Sequence, residues 1–154
     1  GHKDNMEFIG GRLNSAQYSA APVISDINDF IKKSNANVII DAPSGSSYEL
    51  SIAIEEADFV IIPAVPTIPG KAALSRTVEI LRDLHKNIAI IINKANAAND
   101  IIRNFADLED IPVLMELPFD EEIEQMHLKN EIPYEKYADK FENFFDKIPD
   151  ELLI

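Results

Sequence analysis

The sequence predicts a three-layer α/β/α fold built around a mostly parallel sheet. Short runs of β-branched and other apolar residues alternate along the chain with segments of helical spacing. Such continuous runs are typical of strands that are buried on both faces, as in parallel sheets covered by helices. The alternation implies βαβ units with right-handed crossovers. With 154 residues, the chain is long enough for one domain with a sizeable core.

Four apolar runs are the predicted strands of the sheet, and a fifth is a short candidate near the start. The four are residues 38–40, 59–62, 88–92 and 113–115, and the short candidate is "MEFIGG" at 6–11. Glycines 10 and 11 end that candidate, because glycine weakens a strand.

Five segments carry apolar residues at helical spacing and are the predicted helices: 22–34, 48–56, 72–86, 99–108 and 134–148. In the first, we expect four residues on the inner side: Val23, Ile27, Phe30 and Ile31. The last segment is aromatic but mainly acidic at its polar positions. Helices at a membrane surface favour Lys and Arg, so we expect this segment to pack against the sheet.

Composition excludes several classes of function. The net charge of −13 disfavours nucleic acid and anionic lipid as partners. The absence of cysteine excludes disulfides, thiol nucleophiles and iron–sulfur ligation by this chain. No secretory signal is recognisable, so we expect a cytoplasmic protein. Gly1 and His2 have the form of a remnant of tag removal, so we expect residues 1–5 to be an irregular lead and 6–154 to form a single domain.

The loops that follow the predicted strands are the candidate functional segments, because ligands of open parallel sheets bind beyond the carboxyl ends of the strands. These loops are "DAPSGSS", "PAVPTIPGK", "NKANAAND" and "ELPFDEE". In the first, Asp41 can accept hydrogen bonds from water on Mg²⁺, and Gly45 lets a backbone N–H approach a terminal phosphate. The alternative is an aspartate that caps a Pro/Gly turn.

The other loops are each open to a structural interpretation. "PAVPTIPGK" is not a phosphate-binding loop, because Val65 and Ala72 replace a required glycine and hydroxyl residue. Lys71 is then a solvated lysine in the first turn of a helix. Asn93 can bond the edge of a base through its amide, or it can be an ordinary loop residue. N-capping of a helix explains Asp120 adequately.

The sequence lacks the signatures of two further enzyme classes. No pair of histidines and no carboxylate cluster has metal-binding spacing. No G-x-S-x-G motif is present, and the serines of "SGSS" have no plausible histidine partner nearby in the sequence. A hydrolase triad is therefore not expected.

The order of four segments carries a family resemblance. "NVIIDAPSG" is followed by "ADFVIIPAVPTIPGKAALSRTVEILRDL", then by "IAIIINKAN" and "IPVLMELPFDEEI". Together they resemble the C-terminal portion of the MinD/Mrp/ParA-like P-loop ATPases, most nearly the MinD-like group with an inserted ferredoxin segment. The resemblance covers roughly residues 36–130. It implies a P-loop NTPase fold of the SIMIBI type that lacks its first strand and its phosphate loop.

The resemblance also implies a role for each matching residue. Asp41, in the position of a second conserved carboxylate, is the implied catalytic residue and would help to hold Mg²⁺ through water, but only where a phosphate loop is supplied. Gly45 would sense the γ-phosphate. Asn93 would face the adenine, and the loop from Pro118 to Asp120 would close over the base. ATP and Mg²⁺ are thus the implied cofactors of the parent protein, with none bound tightly to this chain.

The family's N-terminal phosphate loop has no counterpart in this sequence. The resemblance therefore implies either part of a longer ATPase that couples ATP to redox or iron–sulfur assembly chemistry, or a shortened relative. We expect this chain alone to be catalytically silent. The expected partners are a second chain that supplies the missing half, or a second copy of this chain.

Two functions from other classes remain open. One is a non-catalytic α/β interaction module that docks a partner through "PAVPTIPGK" and the helix after it. The other is a small-molecule-binding domain of flavodoxin type, suggested by fold analogy alone.

The missing first strand would leave two apolar strands without a neighbour. We expect 37–41 to pair directly with 58–62, because consecutive strands of βαβ units do so by default. The alternative is a strand from a second molecule between them.

Overall fold

The structure, a computed structural model, describes residues 2–3, 6–13, 18–44, 48–96, 98–129, 131–132 and 135–149. The chain divides into two compact units, one formed by Gly1–Ala57 and the other by Asp58–Leu153. Among the described residues, no helix combines the length and the apolar character that crossing a bilayer requires.

The first unit contains a short antiparallel ladder and two helices. Strand β1 (His2–Lys3) pairs with β2 (Met6–Glu7), which lies within the predicted short strand. Helix α1 spans Ala21–Ile31 and helix α2 spans Tyr48–Ala53. The helices are joined by Asn28, which is buried and donates from Nδ2 to the Ile52 carbonyl at 2.7 Å.

One residue of α1 differs from its predicted placement. Phe30 was expected on the inner side but is 59% exposed, whereas Asn28 is buried. The helical spacing predicted which side of α1 faces inward, but it did not predict which residues lie at the boundary of that side. The side-chain amide of Asn28 is buried because it satisfies a carbonyl of α2, which compensates its loss of hydration.

The predicted strand at 38–40 is wrong. Residues 37–43 have no regular secondary structure, and the Ile39 side chain is 92% exposed. The expected pairing of 37–41 with 58–62 is wrong as well, because the described residues of 37–41 belong to no sheet. A strand gains its stability from ladder hydrogen bonds and burial rather than from the local preference of β-branched residues, and this run has neither here.

The second unit is built on a parallel three-stranded sheet. Its strands are β3 (Phe59–Ala64), β4 (Asn87–Ala95) and β5 (Val113–Pro118), in the spatial order β3-β4-β5. Three predicted strands are therefore confirmed, each extended at its carboxyl end. Helix α3 (Ile68–Asp83) connects the first pair of strands and α4 (Ile101–Leu108) connects the second.

Helices cover both faces of this sheet. Helix α5 spans Glu121–Leu128, a 3-10 helix spans Glu135–Tyr137, and α6 spans Ala138–Phe145. Phe144 of α6 packs in one cluster with Ala89, Leu114 and Met115, on the face to which Ala89 points. Ile90 and Ile92 point to the opposite face, because side chains alternate along a strand. The buried residues of α3 and α4 cover that face, as same-handed crossovers require.

The chain also covers the outer edge of β5. The Lys140 ammonium donates to the Glu116 carbonyl at 3.1 Å, and the Lys147 ammonium donates to the Leu114 carbonyl at 2.7 Å. These lysine ammonium groups occupy backbone carbonyl oxygens of an edge strand, which could otherwise accept hydrogen bonds from a strand of another chain. The C-terminal helical segment therefore packs against the sheet, as its acidic composition predicts.

Candidate functional site

The carboxyl ends of β4 and β5 meet side by side and bring two predicted loops together. Ala95 pairs with Pro118, and the Phe119 N–H donates to the Ala95 carbonyl at 3.2 Å. Asn93 thus lies on the strand next to Pro118, at the same end of the sheet as Asp120. We call the end of the sheet formed by the carboxyl ends of β3, β4 and β5 the carboxyl edge.

A bulge in β4 sets the direction of the side chains at this edge. The β4–β5 register shifts between Ile92 and Ala95, and Lys94 has a φ of 55°. The Asn93 Oδ1 accepts a hydrogen bond from the Lys94 N–H at 2.9 Å, which supports this left-handed conformation. Bulges re-aim side chains and are frequent beside active sites. Asn93 is solvent-exposed, as a residue that contacts a ligand must be.

Phe119 was not singled out by the sequence, yet it is prominent at the carboxyl edge. The residue is 52% exposed. The Lys94 ammonium lies 5.7 Å from the ring centroid, within cation–π range. At an exposed position such a contact contributes only about 0.5–1 kcal/mol. The sequence signal for this residue is its position in a predicted loop, between Pro118 and a capping aspartate, where an aromatic ring can offer a surface for stacking.

Asp120 has a structural role that the sequence predicted in part. Its Oδ1 accepts from the Glu122 N–H at 2.9 Å, so it caps the start of α5 as expected. Its Oδ2 accepts from the Lys136 ammonium at 2.6 Å and from the Tyr137 hydroxyl at 2.7 Å. The Lys136 ammonium, and after it the Tyr137 hydroxyl, lower the pKa of Asp120 to about 2. The contacts of Asp120 with Lys136 and Tyr137 could not be predicted from the sequence, because these residues are distant from Asp120 along the chain.

The "PAVPTIPGK" loop is held by two polar contacts. The Thr67 Oγ1 accepts from the Gly70 N–H at 3.0 Å and caps α3. The Asn99 Nδ2 donates to the Pro66 carbonyl at 2.6 Å and so ties this loop to the one after β4. Lys71 lies in the first turn of α3, with its ammonium 5.6 Å from the Phe105 ring centroid. Gly70 and Lys71 serve here as parts of a helix start.

A salt bridge joins α4 to β5 behind the loops. The Arg103 guanidinium binds both carboxylate oxygens of Glu116, with Nε 2.6 Å from Oε1, and it also pairs with Asp100. Arg103 holds the pKa of Glu116 below its usual range. Bidentate pairs of this kind fix geometry as well as charge. Sequence spacing gave no sign of the Glu116 contact, because the two residues belong to different elements.

The remaining predicted residues belong to the first unit. Asp41 is exposed in an irregular segment, and Gly45 lies outside the described residues. Within the described ranges, no group of three His, Asp or Glu side chains could hold a metal ion. A single carboxylate that holds Mg²⁺ through water would not form such a group, so the role of Asp41 stays a prediction.

No protein-family model matches this chain, and no curated protein matches it significantly. Solved structures do. The MinD cell division protein of Aquifex aeolicus matches with a TM-score of 0.61 and 16% identity, over 73% of this chain and 51% of that one. The cell division ATPase MinD of Pyrococcus furiosus matches with a TM-score of 0.64 and 18% identity, over 87% and 59%.

A third structure is a plasmid partition protein of Borrelia burgdorferi bound to AMPPNP, with a TM-score of 0.50 and 20% identity, over 65% of this chain and 45% of that one. At such identities the likeness is one of fold. This chain spans only about half to three fifths of the MinD structures it matches, by the shares of 51% and 59%. The predicted fold class, and the resemblance at the level of fold, are confirmed.

Proposed function

Since the chain has a MinD/ParA-like P-loop ATPase fold, we propose that it is part of a MinD-like ATPase and that its carboxyl edge binds the base of an adenine nucleotide. The observation that carries the proposal is the pairing of Ala95 with Pro118, which aligns Asn93 with the loop from Pro118 to Asp120. The AMPPNP bound to the matching plasmid partition protein supports an adenine nucleotide as the ligand.

In this proposal the phosphate chemistry belongs to the complete ATPase. Asp41 would help to hold Mg²⁺ through water, and Gly45 would sense the γ-phosphate, once a phosphate loop is supplied by the longer protein, a second chain or a second copy. The family resemblance suggests that the complete cytoplasmic protein couples ATP to redox or iron–sulfur assembly chemistry. Phosphoryl transfer depends on positioning and charge neutralisation, most of which the phosphate loop provides.

The chain alone should therefore not hydrolyse ATP. Phosphate release from Mg²⁺-ATP, measured after extensive purification, should equal that of a blank without protein. Turnover that survives purification and is abolished by Asp41→Ala would contradict this.

Base binding can be tested with ligands that lack phosphate. A base contact contributes on the order of 1–3 kcal/mol, so we expect adenosine and ATP to bind no tighter than about millimolar. Adenosine titrations followed by NMR should shift the backbone amide signals of residues 93–95, 119 and 120, while ribose 5-phosphate should not; Pro118 has no N–H to observe.

The matched variants are Asn93→Ala and Asn87→Ala. Asn87 lies on the same strand at its opposite end, where its Nδ2 bonds the Asp58 carbonyl at 3.4 Å. Asn93→Ala should weaken adenosine binding about 5-fold, the equivalent of one ordinary hydrogen bond, and Asn87→Ala should not. Equal effects would mean that the base does not contact Asn93.

One observation favours the interaction module as a second candidate. Ile68, in the first turn of α3 beside "PAVPTIPGK", is 78% exposed. A partner that docks there would cover this side chain. Failure of all nucleotides to bind, together with loss of a co-purifying partner in Ile68→Asp, would favour the module over the ATPase.

A further inference from the structure

The outer edge of β5 is closed by two lysine side chains rather than by another strand. Within the sheet that the described residues form, β5 is an edge strand. The Lys140 ammonium contacts the Glu116 carbonyl, and the Lys147 ammonium contacts the Leu114 carbonyl. Both lysines belong to the segment 138–147, which we call the C-terminal strap. The strap therefore occupies two backbone acceptors of one sheet edge.

An irregularity of β5 leaves one of these acceptors to the strap. The two neighbours of Leu114 in the chain pair with the successive residues Ile90 and Ile91 of β4, so Leu114 is an extra residue in β5. The extra residue of a bulge has no partner in the ladder. The Lys147 ammonium, 2.7 Å from the Leu114 carbonyl oxygen, thus binds an acceptor that pairing with β4 does not require.

The strap has little buried surface to hold it on this edge. Of the eight residues of α6, all within the described part of the chain, Phe144 is the one that is buried. A helix of this length has little stability of its own in water. A strand that paired along the outer edge of β5 would need the carbonyls that the two lysines contact. The strap and such a strand therefore exclude each other.

The sequence of β5 suits an identical strand as the occupant of this edge. In an antiparallel pair of two β5 strands centred on Met115, Val113 lies opposite Leu117, so apolar side chains meet. The single charged residue of β5 is Glu116, and Arg103 binds both of its carboxylate oxygens. Short apolar segments of low net charge pair readily when their edges are exposed. A contact between two copies must be self-complementary, and β5 meets this condition.

We propose that the outer edge of β5 is a docking surface for β5 of a second copy of this chain, and that the C-terminal strap blocks it through Lys140 and Lys147. The copies pair only when the strap has left the edge, so their apparent affinity falls with the fraction of chains in which the strap is detached. This proposal goes beyond the proposed function, because it involves no nucleotide.

Removal of the two ammonium groups should open the edge. The double variant Lys140→Met, Lys147→Met keeps long side chains that cannot donate to the carbonyls. Its self-association, measured by sedimentation over a range of concentrations, should be at least about tenfold tighter than that of the wild type, the equivalent of roughly one to two hydrogen bonds. The matched control is Lys33→Met, Lys129→Met, two exposed lysines outside the strap, which changes the net charge equally. The control should associate as the wild type does.

Two measurements locate the contact between copies. In a mixture of ¹⁵N-labelled and ¹³C-labelled copies of the double variant, NOEs between copies should connect residues 113–117 of one with residues 113–117 of the other. A synthetic peptide with the sequence of residues 113–118 should compete with the association, whereas a peptide of the same residues in scrambled order should not.

An association of the double variant no tighter than that of the wild type would overturn the proposal, and so would a dimer whose contacts lie outside β5. If the double variant does not fold, Lys140→Met alone provides the test. Lys140 is exposed and makes the longer of the two contacts, so its loss should leave the chain folded. This single variant should associate more tightly than the wild type, and equal association of the two would also overturn the proposal.

Discussion

Gly70 precedes a lysine, as in a phosphate loop, but the structure gives it a packing role. A Cβ at this position would lie 2.3 Å from the Val65 carbonyl oxygen and 2.9 Å from the Thr67 Oγ1. The first turn of α3 can approach the preceding loop only because this side chain is absent. The glycine is thus explained without any ligand.

The Thr67 cap can be tested in the same turn. Thr67→Ala removes the acceptor for the Gly70 N–H, and loss of an N-cap typically costs about 1 kcal/mol. Urea unfolding should show this loss in Thr67→Ala, whereas Thr67→Ser should keep most of the stability because serine also caps. A serine variant as unstable as the alanine variant would mean that the threonine methyl group, not its hydroxyl, is responsible.

Asp120 should make stability depend on pH at the acidic end. Its pKa of about 2 lies below the value of about 3.9 expected for an unfolded chain. The ionised carboxylate therefore stabilises the fold above about pH 4, and this contribution is lost as the pH falls through the folded-state pKa. Melting temperatures of the wild type should fall between about pH 4 and pH 2.

The matched substitutions for this prediction are Asp120→Asn and Asp107→Asn, which change the net charge equally. Asparagine still caps a helix, so Asp120→Asn removes mainly the ion pair with Lys136. It should melt earlier at neutral pH and lose part of the acid dependence, while Asp107→Asn, an exposed position on α4, should keep the wild-type profile. Identical profiles for all three proteins would refute the assignment.

At the level of elements, α3 and α4 end in the same way. Each is followed by a residue in the left-handed conformation, His85 with a φ of 56° and Asp110 with a φ of 54°. The Ile111 N–H returns to the Ala106 carbonyl at 2.9 Å, which is the long bond of a Schellman motif. Glycine is the usual residue at this position, because other residues pay for the conformation with strain.

Asp110→Gly should therefore stabilise the protein by about 0.5–1 kcal/mol, since it relieves left-handed strain. The control is Asp107→Gly, three residues earlier within α4, which should lose about 0.3–0.5 kcal/mol because glycine is a poorer helix former than aspartate. Thermal unfolding of the two variants should move in opposite directions. A loss of stability in both would show that the Asp110 side chain makes a contact worth more than the strain.

Sequence patterns predicted those elements whose stability comes from their own amphipathic spacing or from burial on both faces. Three of the four predicted sheet strands and all five predicted helices were placed within a few residues, and the capping role of Asp120 followed from its position. The strand predicted at 38–40 was wrong because a strand is stable only when it pairs with another strand. The spacing of apolar residues does not show whether such a partner is present. The contacts of Asn99 with Pro66 and of Arg103 with Glu116 link distant parts of the chain and were likewise invisible.

At the scale of the whole molecule, the two units differ in how much core they possess. Of the buried apolar residues that the structure describes, three lie in the first unit: Leu50, Ala53 and Ile54. Fifteen lie in the second, among them Leu81, Ile90 and Ile102. Burial is the main source of stability, so the second unit should hold its structure far more firmly than the first.

Hydrogen exchange should reveal this difference directly. Helix α1 has eleven residues and α2 has six, and helices this short are marginal in water without extensive packing. Amides of α1 and α2 should therefore exchange through local opening, with protection far below that of the β4 amides, which form the centre of the sheet. As denaturant rises towards the unfolding midpoint, exchange of the β4 amides should accelerate with the full unfolding slope, whereas that of α1 should hardly change. Equal protection and equal slopes in both units would mean that the chain unfolds as one cooperative body. The first unit would then be more stable than its small core predicts.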